Sequence, residues 1–197
     1  MDRNFVAQFR IELLGVEPPV WRRIQVPADY TFWDLHVAIQ DAMGWRDYHL
    51  HAFQVVGVDG VIGIPDDDWD ESNPTRPGWE VQINDLFSEG RPLASYEYDF
   101  GDSWVHEIRF EGYHPAEGRR RYPCCLSGAR RCPPEDCGGV PGYEDFLSVM
   151  RDPTDPAHES MQEWAGGPFD PERFEAEAVK FDDPTERWRK SFEDSGA

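Results

Sequence analysis

Tyr122-Pro-Cys-Cys-Leu-Ser-Gly-Ala-Arg-Arg-Cys-Pro-Pro-Glu-Asp-Cys-Gly-Gly-Val-Pro-Gly-Tyr143 holds all four cysteines of the chain (Cys124, Cys125, Cys132 and Cys137), with four prolines and four glycines. Proline fixes φ and lacks an N–H, and glycine admits angles that other residues avoid. The run therefore reads as an irregular connector, neither regular helix nor strand, held by its side chains. Strand-like sequence precedes it and helix-like sequence follows. It is the joint of an α+β fold.

Working outward, Phe5, Ala7, Phe9, Ile11 and Leu13 alternate with Gln8, Arg10 and Glu12, the pattern of a half-buried strand. Residues 15–19 break it, and Val20-Trp-Arg-Arg-Ile-Gln-Val26 reads as the antiparallel return. Thr31, three residues before Asp34, is close to a capping box. Phe32, Leu35, Ile39 and Met43 then mark one helix face, and Gly44 sits where a C-terminal glycine belongs.

Residues 48–56 read as a third strand with His49, His51, Phe53 and Val55 on one face, turned by Asp59-Gly60 into residues 61–64. The acidic, proline-broken residues 65–78 read as an exposed loop without the glycine and terminal Glu of an EF-hand. Residues 96–110 form a hairpin about Gly101-Asp102. A two-residue turn there pairs Asp99 with Trp104 and Glu97 with His106, placing all four on one side of the sheet.

Past the connector, Tyr143, Phe146, Leu147 and Met150 mark a helix ended by Asp152-Pro153. A second helix covers residues 158–165, and Asp170-Pro171 opens a third through Phe174 and Ala178. The expected architecture is a mainly antiparallel sheet with one helix after the second strand and a helical C-terminal region. One domain is expected over residues 1–181, followed by a polar tail, 182–197, in which Trp188 and Phe192 can dock.

Thirty-nine acidic residues against nineteen basic ones leave a net charge of −20, which opposes binding to a phosphate backbone. A protein partner is the expectation. Arg119, Arg120, Arg121, Arg130 and Arg131 form one basic cluster beside the cysteines. No apolar run approaches ~18 residues, so no membrane span is expected. The N-terminus lacks a signal-peptide pattern, which points to the cytoplasm, where thiols stay reduced.

Two chemistries suit these residue types. Cys125, Cys132 and Cys137, with His106 as a fourth ligand, are zinc-binding groups, although the spacings C-x6-C and C-x4-C are not those of a knuckle. The same thiols read equally as buried, inert side chains or as a disulfide. Asp99, Asp102, His106, His49 and His51 could instead hold a catalytic divalent ion with a position open for water. Structural readings stand beside that one: histidines bonded to neighbouring carboxylates, and aspartate as turn chemistry. Glu135 and Asp136, after Pro133 and Pro134, read either as acids at a site or as the acidic first turn of a short helix ended by Gly138-Gly139, paired with Arg130 or Arg131. No phosphate-binding glycine loop or nucleophile elbow is present.

Several landmarks together resemble the plasmid pRiA4b open-reading-frame-three-like family, some members of which carry the insertion-sequence passenger name TnpR. They are Pro18-Pro-Val-Trp-Arg-Arg-Ile24, Met43-Gly-Trp45 with His49-Leu-His51, Tyr96-Glu-Tyr-Asp-Phe-Gly-Asp-Ser-Trp-Val-His106, Cys125-Leu-Ser-Gly, Cys132-Pro-Pro-Glu-Asp-Cys-Gly-Gly139 and Gly142-Tyr143. They run from Pro18 to Tyr143, and the resemblance covers about residues 5–174. The resemblance implies an α+β fold and an association with plasmids and mobile elements; no serine- or tyrosine-recombinase constellation accompanies the name. The expected function is an accessory or protein-interaction module, with a structural zinc as a candidate. The alternative is a metal-dependent hydrolase or nuclease on the 96–110 hairpin. A third reading has the acidic surface mimicking nucleic acid toward a basic partner.

Overall fold

The alternating N-terminal segments build the centre of a sheet. In a computed structural model, which describes residues 4–65 and 75–193, they become β1 (Phe5–Leu13) and β2 (Val20–Pro27), antiparallel with Phe9 opposite Ile24. Ala7, Phe9, Ile11 and Leu13 are buried on one face. On the other, Arg23 pairs with Glu111 at 2.7 Å. Period-two patterning thus sorts the two faces as expected.

Next comes α1 (Phe32–Met43), opened by a complete capping box in which Thr31 N donates to Asp34 Oδ2 and Asp34 N to Thr31 Oγ1. Gly44, at φ 91°, closes it in the left-handed conformation. The chain continues through β3 (His51–Val55), β4 (Val61–Gly63), β5 (Thr75–Pro77) and the single turn α2 (Ile83–Leu86). Then come β6 (Leu93–Tyr98), β7 (Trp104–Pro115), β8 (Cys124–Ala129), α3 (Gly139–Arg151), α4 (His158–Trp164) and α5 (Pro184–Trp188). The sheet order is β5-β4-β3-β6-β7-β1-β2-β8, antiparallel throughout the described strands except between β4 and β5. The fold is α+β.

Helix α1 lies on the inner face, where Phe32 meets Phe53 and Phe87 at ring distances of 5.2 and 5.8 Å. Ten of its twelve residues are buried, because the C-terminal segment covers its outer side as well. Trp33 packs edge-on against Trp188 at 5.3 Å, and its Nε1 donates to Pro184 O at 3.1 Å. Arg187 bridges Asp41 and Asp182, each at 2.8 Å, with Asp47 at 3.4 Å. No helix among the described residues is long and apolar enough to cross a membrane.

Six local expectations change. The β6–β7 connection spans residues 99–103, so Tyr98 faces Trp104 and Tyr96 faces His106. This one-residue slip moves Glu97 to the outer face, where it accepts from Ser103 Oγ at 2.7 Å. Asp99 and Ser103 adopt φ of 57° and 54°, which Asp tolerates better than most residues and which a two-residue turn would not need. The connector contains a regular edge strand, β8, paired with β2. Gly138-Gly139 open α3 rather than end a helix, with Gly138 as its N-cap.

Asp170-Pro171 starts no α-helix; only one 3-10 turn, Ala176–Ala178, follows. The carbonyls of Pro168 and Pro171 are taken instead by Arg131, through Nη1 and its backbone N–H. Within the acidic stretch, Thr75–Pro77 is a parallel edge strand, and residues 66–74 lie outside those described. Finally, β3 begins at His51, so His49 precedes the strand.

Candidate functional site

A cleft of about 590 Å³ opens where the end of α1, the connector and the segment after α4 meet. Its wall begins with Trp45, released from the helix by Gly44. The Trp45 Nε1 donates to Pro133 O at 3.0 Å while its ring stacks on Tyr98 at 5.0 Å. One indole thereby ties the proline-stiffened loop to the aromatic face of the sheet. Cys132 and Tyr143 are buried on either side of that loop. The connector does fasten the helical flank to the sheet.

Acidic and imidazole groups gather about Glu135 and Asp136, which line the cleft; the His49 and Asp99 that meet them do not. Glu135 accepts from the Arg46 N–H and from the Tyr98 hydroxyl at 3.3 Å. Burial first, then the charge of Glu135, raises the Tyr98 pKa, so the phenol stays a neutral donor. Asp136, at φ 56°, reaches His49 Nε2 with Oδ1 at 2.9 Å; Asp99 Oδ2 lies 3.6 Å from the same nitrogen. That nitrogen is shut off from solvent, and neither contact has hydrogen-bond geometry. Ligand atoms of His49, Glu135 and Asp136 all lie within 4.8 Å of one another, an arrangement among the described residues able to hold a metal ion.

The remaining sequence candidates serve elsewhere. Asp102 accepts from Gly138 N at 3.1 Å, and a Cβ on Gly139 would stand 2.5 Å from Asp102 O. Asp102 thus locks the hairpin turn to the start of α3. His51 is 3% exposed and stacks on His36 at 3.4 Å; burial, then the charge of His36, holds it well below the usual pKa. His106 is fully buried between Tyr96 and Trp45, and burial lowers its pKa to about 4. Neither faces the cleft.

Cys125, Cys132, Cys137 and His106 do not come together as a ligand group among the described residues. The reason is local. Cys125 sits on β8 with its thiol toward Arg23 O and Ser127 O, whereas Cys132 is buried under the loop and Cys137 follows Asp136. All four are free. Burial raises Cys125 to about 11 and Cys132 and Cys137 to about 12, so all three are protonated at neutral pH.

Sequence reasoning set Glu135 and Asp136 against Arg130 or Arg131, but Arg130 pairs with Glu172 at 2.9 Å. The signal that could have redirected them was Pro133-Pro134, which stiffens the loop toward Trp45 and His49. Arg22 was also missed. It occupies a core position of β2 between Val20 and Ile24 and lines the cleft. With Arg46, Arg131, Arg173 and Lys180 it makes five cations against Asp41, Glu135, Asp136 and Glu175. In a chain with twice as many acids as bases, this lining is net positive.

The model of the family described as Plasmid pRiA4b ORF-3-like protein matches residues 5–178. The uncharacterized protein y4hQ of Sinorhizobium fredii is 36% identical over 161 residues, covering 82% of this chain and 81% of that protein. The crystal structure of a protein of unknown function from Methanosarcina mazei Go1 superposes with a TM-score of 0.82 at 40% identity, covering 90% of this chain and 98% of that one.

Proposed function

This chain belongs to the plasmid pRiA4b ORF-3-like family, and we propose that it is a cytoplasmic accessory module of plasmid and transposable-element type that holds a protein partner in its cleft. One observation carries this reading: the cleft joins exposed aromatic surface to guanidinium groups. Trp164 is 52% exposed there, beside Phe169, over which Arg131 lies at 4.4 Å. Tryptophan and arginine are the residues that dominate binding at protein interfaces. The chain as a whole carries −20, which opposes nucleic-acid binding and favours a protein partner.

The test is photo-crosslinking in the source cell. A photoreactive residue at position 164 should give a discrete protein adduct, competed away by untagged wild-type chain. The same probe at exposed Val56, remote from the cleft, should give none. Absence of an adduct at 164, or equal adducts from both positions, rejects the reading.

A second reading, a metal-dependent hydrolase or nuclease, is favoured by the approach of His49, Glu135 and Asp136 within 4.8 Å. Asp99 would complete the set, and a bound divalent ion there would supply an activated water. Asp102, His51 and His106 would take no part. A structural zinc would use this same group rather than the thiols. Metal analysis of the purified chain decides: less than about a tenth of an equivalent of zinc, with no Mn²⁺-stimulated phosphodiesterase activity, removes both forms.

A further inference from the structure

We propose that the cleft contains an anion site built on Arg22, which takes a carboxylate or phosphate oxygen on the free Nη2 of its guanidinium. Arg22 is 1% exposed. A charge so placed is normally paired, because desolvating it alone is costly. This chain follows the rule elsewhere: buried Arg130 pairs with Glu172, and Arg187 with Asp41, Asp47 and Asp182. Arg22 has no such partner among the described residues, in a chain where carboxylates are plentiful.

Its hydrogen bonds show which edge is free. Nε donates to Ala42 O at 2.8 Å, and Nη1 donates to Trp21 O and Ala129 O at 2.8 and 2.9 Å. Those three carbonyls use three of the five N–H groups and leave both on Nη2 without an acceptor among the described residues. They orient the fork but carry no net charge. The Phe174 ring lies 3.7 Å from Cζ and covers one face of the plane, so an acceptor must approach in the plane. Cys125 and Cys132, whose thiolates would act on Arg22, supply no counter-charge, since both thiols are neutral at pH 7. Arg131, Arg173 and Lys180 on the same cleft add a field that draws anions inward.

Two unmatched N–H groups on one buried cationic nitrogen, in a dry site, fit the oxygen of a carboxylate or phosphate. The site goes beyond the protein-partner reading and stands whether the anion is a free solute or an acidic side chain of that partner. The full-length chain is titrated with inorganic phosphate and, separately, with a capped hexaglutamate peptide, at constant ionic strength. Tryptophan fluorescence and the melting temperature are followed. Saturable binding is expected, weakened about tenfold or more in Arg22→Lys, which keeps the charge and loses the Nη2 donors that the three carbonyls aim, and only a few-fold in Arg173→Ala.

Tighter binding of the peptide identifies a partner's carboxylates as the source; tighter phosphate binding identifies a free anion. Should Arg22→Lys fail to fold, the Arg22 side-chain N–H resonances of the wild type are followed in the same titrations, and they should shift with saturation. No saturable response to either probe overturns the proposal. So does a response unchanged in Arg22→Lys, or one that leaves the Arg22 resonances in place.

Discussion

Acidification should destabilise this protein through one buried side chain. His106 is 0% exposed; its Nδ1 lies 3.3 Å from Tyr96 O, and its Nε2 has no hydrogen-bond partner. Burial places its pKa at about 4 in the folded chain, against about 6.5 in the unfolded one. Between those values the unfolded state binds the extra proton, so stability falls as pH drops through that window. Linkage over this interval gives a loss of about 2 kcal/mol at pH 5 and about 3 kcal/mol at pH 4, relative to pH 7. The comparison is with His106→Leu, which cannot titrate there. Urea denaturation of both proteins at about pH 7, 6, 5 and 4 measures the difference, and the other titrating groups are common to both. The wild type should lose stability faster than the variant by those amounts. Parallel pH profiles, agreeing within about 0.5 kcal/mol, would refute a neutral, desolvated His106.

Arg187→Ala leaves largely buried Asp41 without its cation and Asp47 with only His36, and should cost about 3 kcal/mol by urea denaturation. The same change should increase proteolysis within residues 184–193, since Arg187 anchors the segment over Trp33. Gly142→Ala should destabilise by about 2 kcal/mol although Ala ordinarily favours a helix, because the added Cβ would run into Cys137 O; a neutral result in thermal melts would show that the loop yields. Thr31→Ala removes one half of the capping box and should cost about 1 kcal/mol, read from the denaturation midpoint at unchanged slope.

What could be read in advance was local. The Phe5–Leu13 alternation, its return, and the Thr31-to-Gly44 helix carry their own instructions in side-chain period and cap chemistry, and all three formed. The failures share a cause, which is pairing between distant segments. Glu97 and Tyr96 compete for the inner face on equal local grounds; a five-residue turn admitting positive φ at Asp99 and Ser103 settles it for the tyrosine. Cys124–Ala129 has weak strand character alone and becomes a strand because β2 offers it an edge. Phe174 lies over Arg22 rather than continuing a helix from Pro171, since a guanidinium some 150 residues earlier in the chain is there to be covered.

The same division runs through the candidate site. His49 and Asp99 could be nominated from their residue types, but Glu135 and Asp136 join them only because Trp45 holds Pro133 from across the cleft. Composition and periodicity determined the class of fold, the first helix and the acidic character of the surface, since each follows from neighbours within a few residues. Register, the grouping of His49 with three carboxylates, and the lone buried charge of Arg22 were decided by tertiary structure. Those depend on which distant surfaces meet, and no local pattern encodes the meeting.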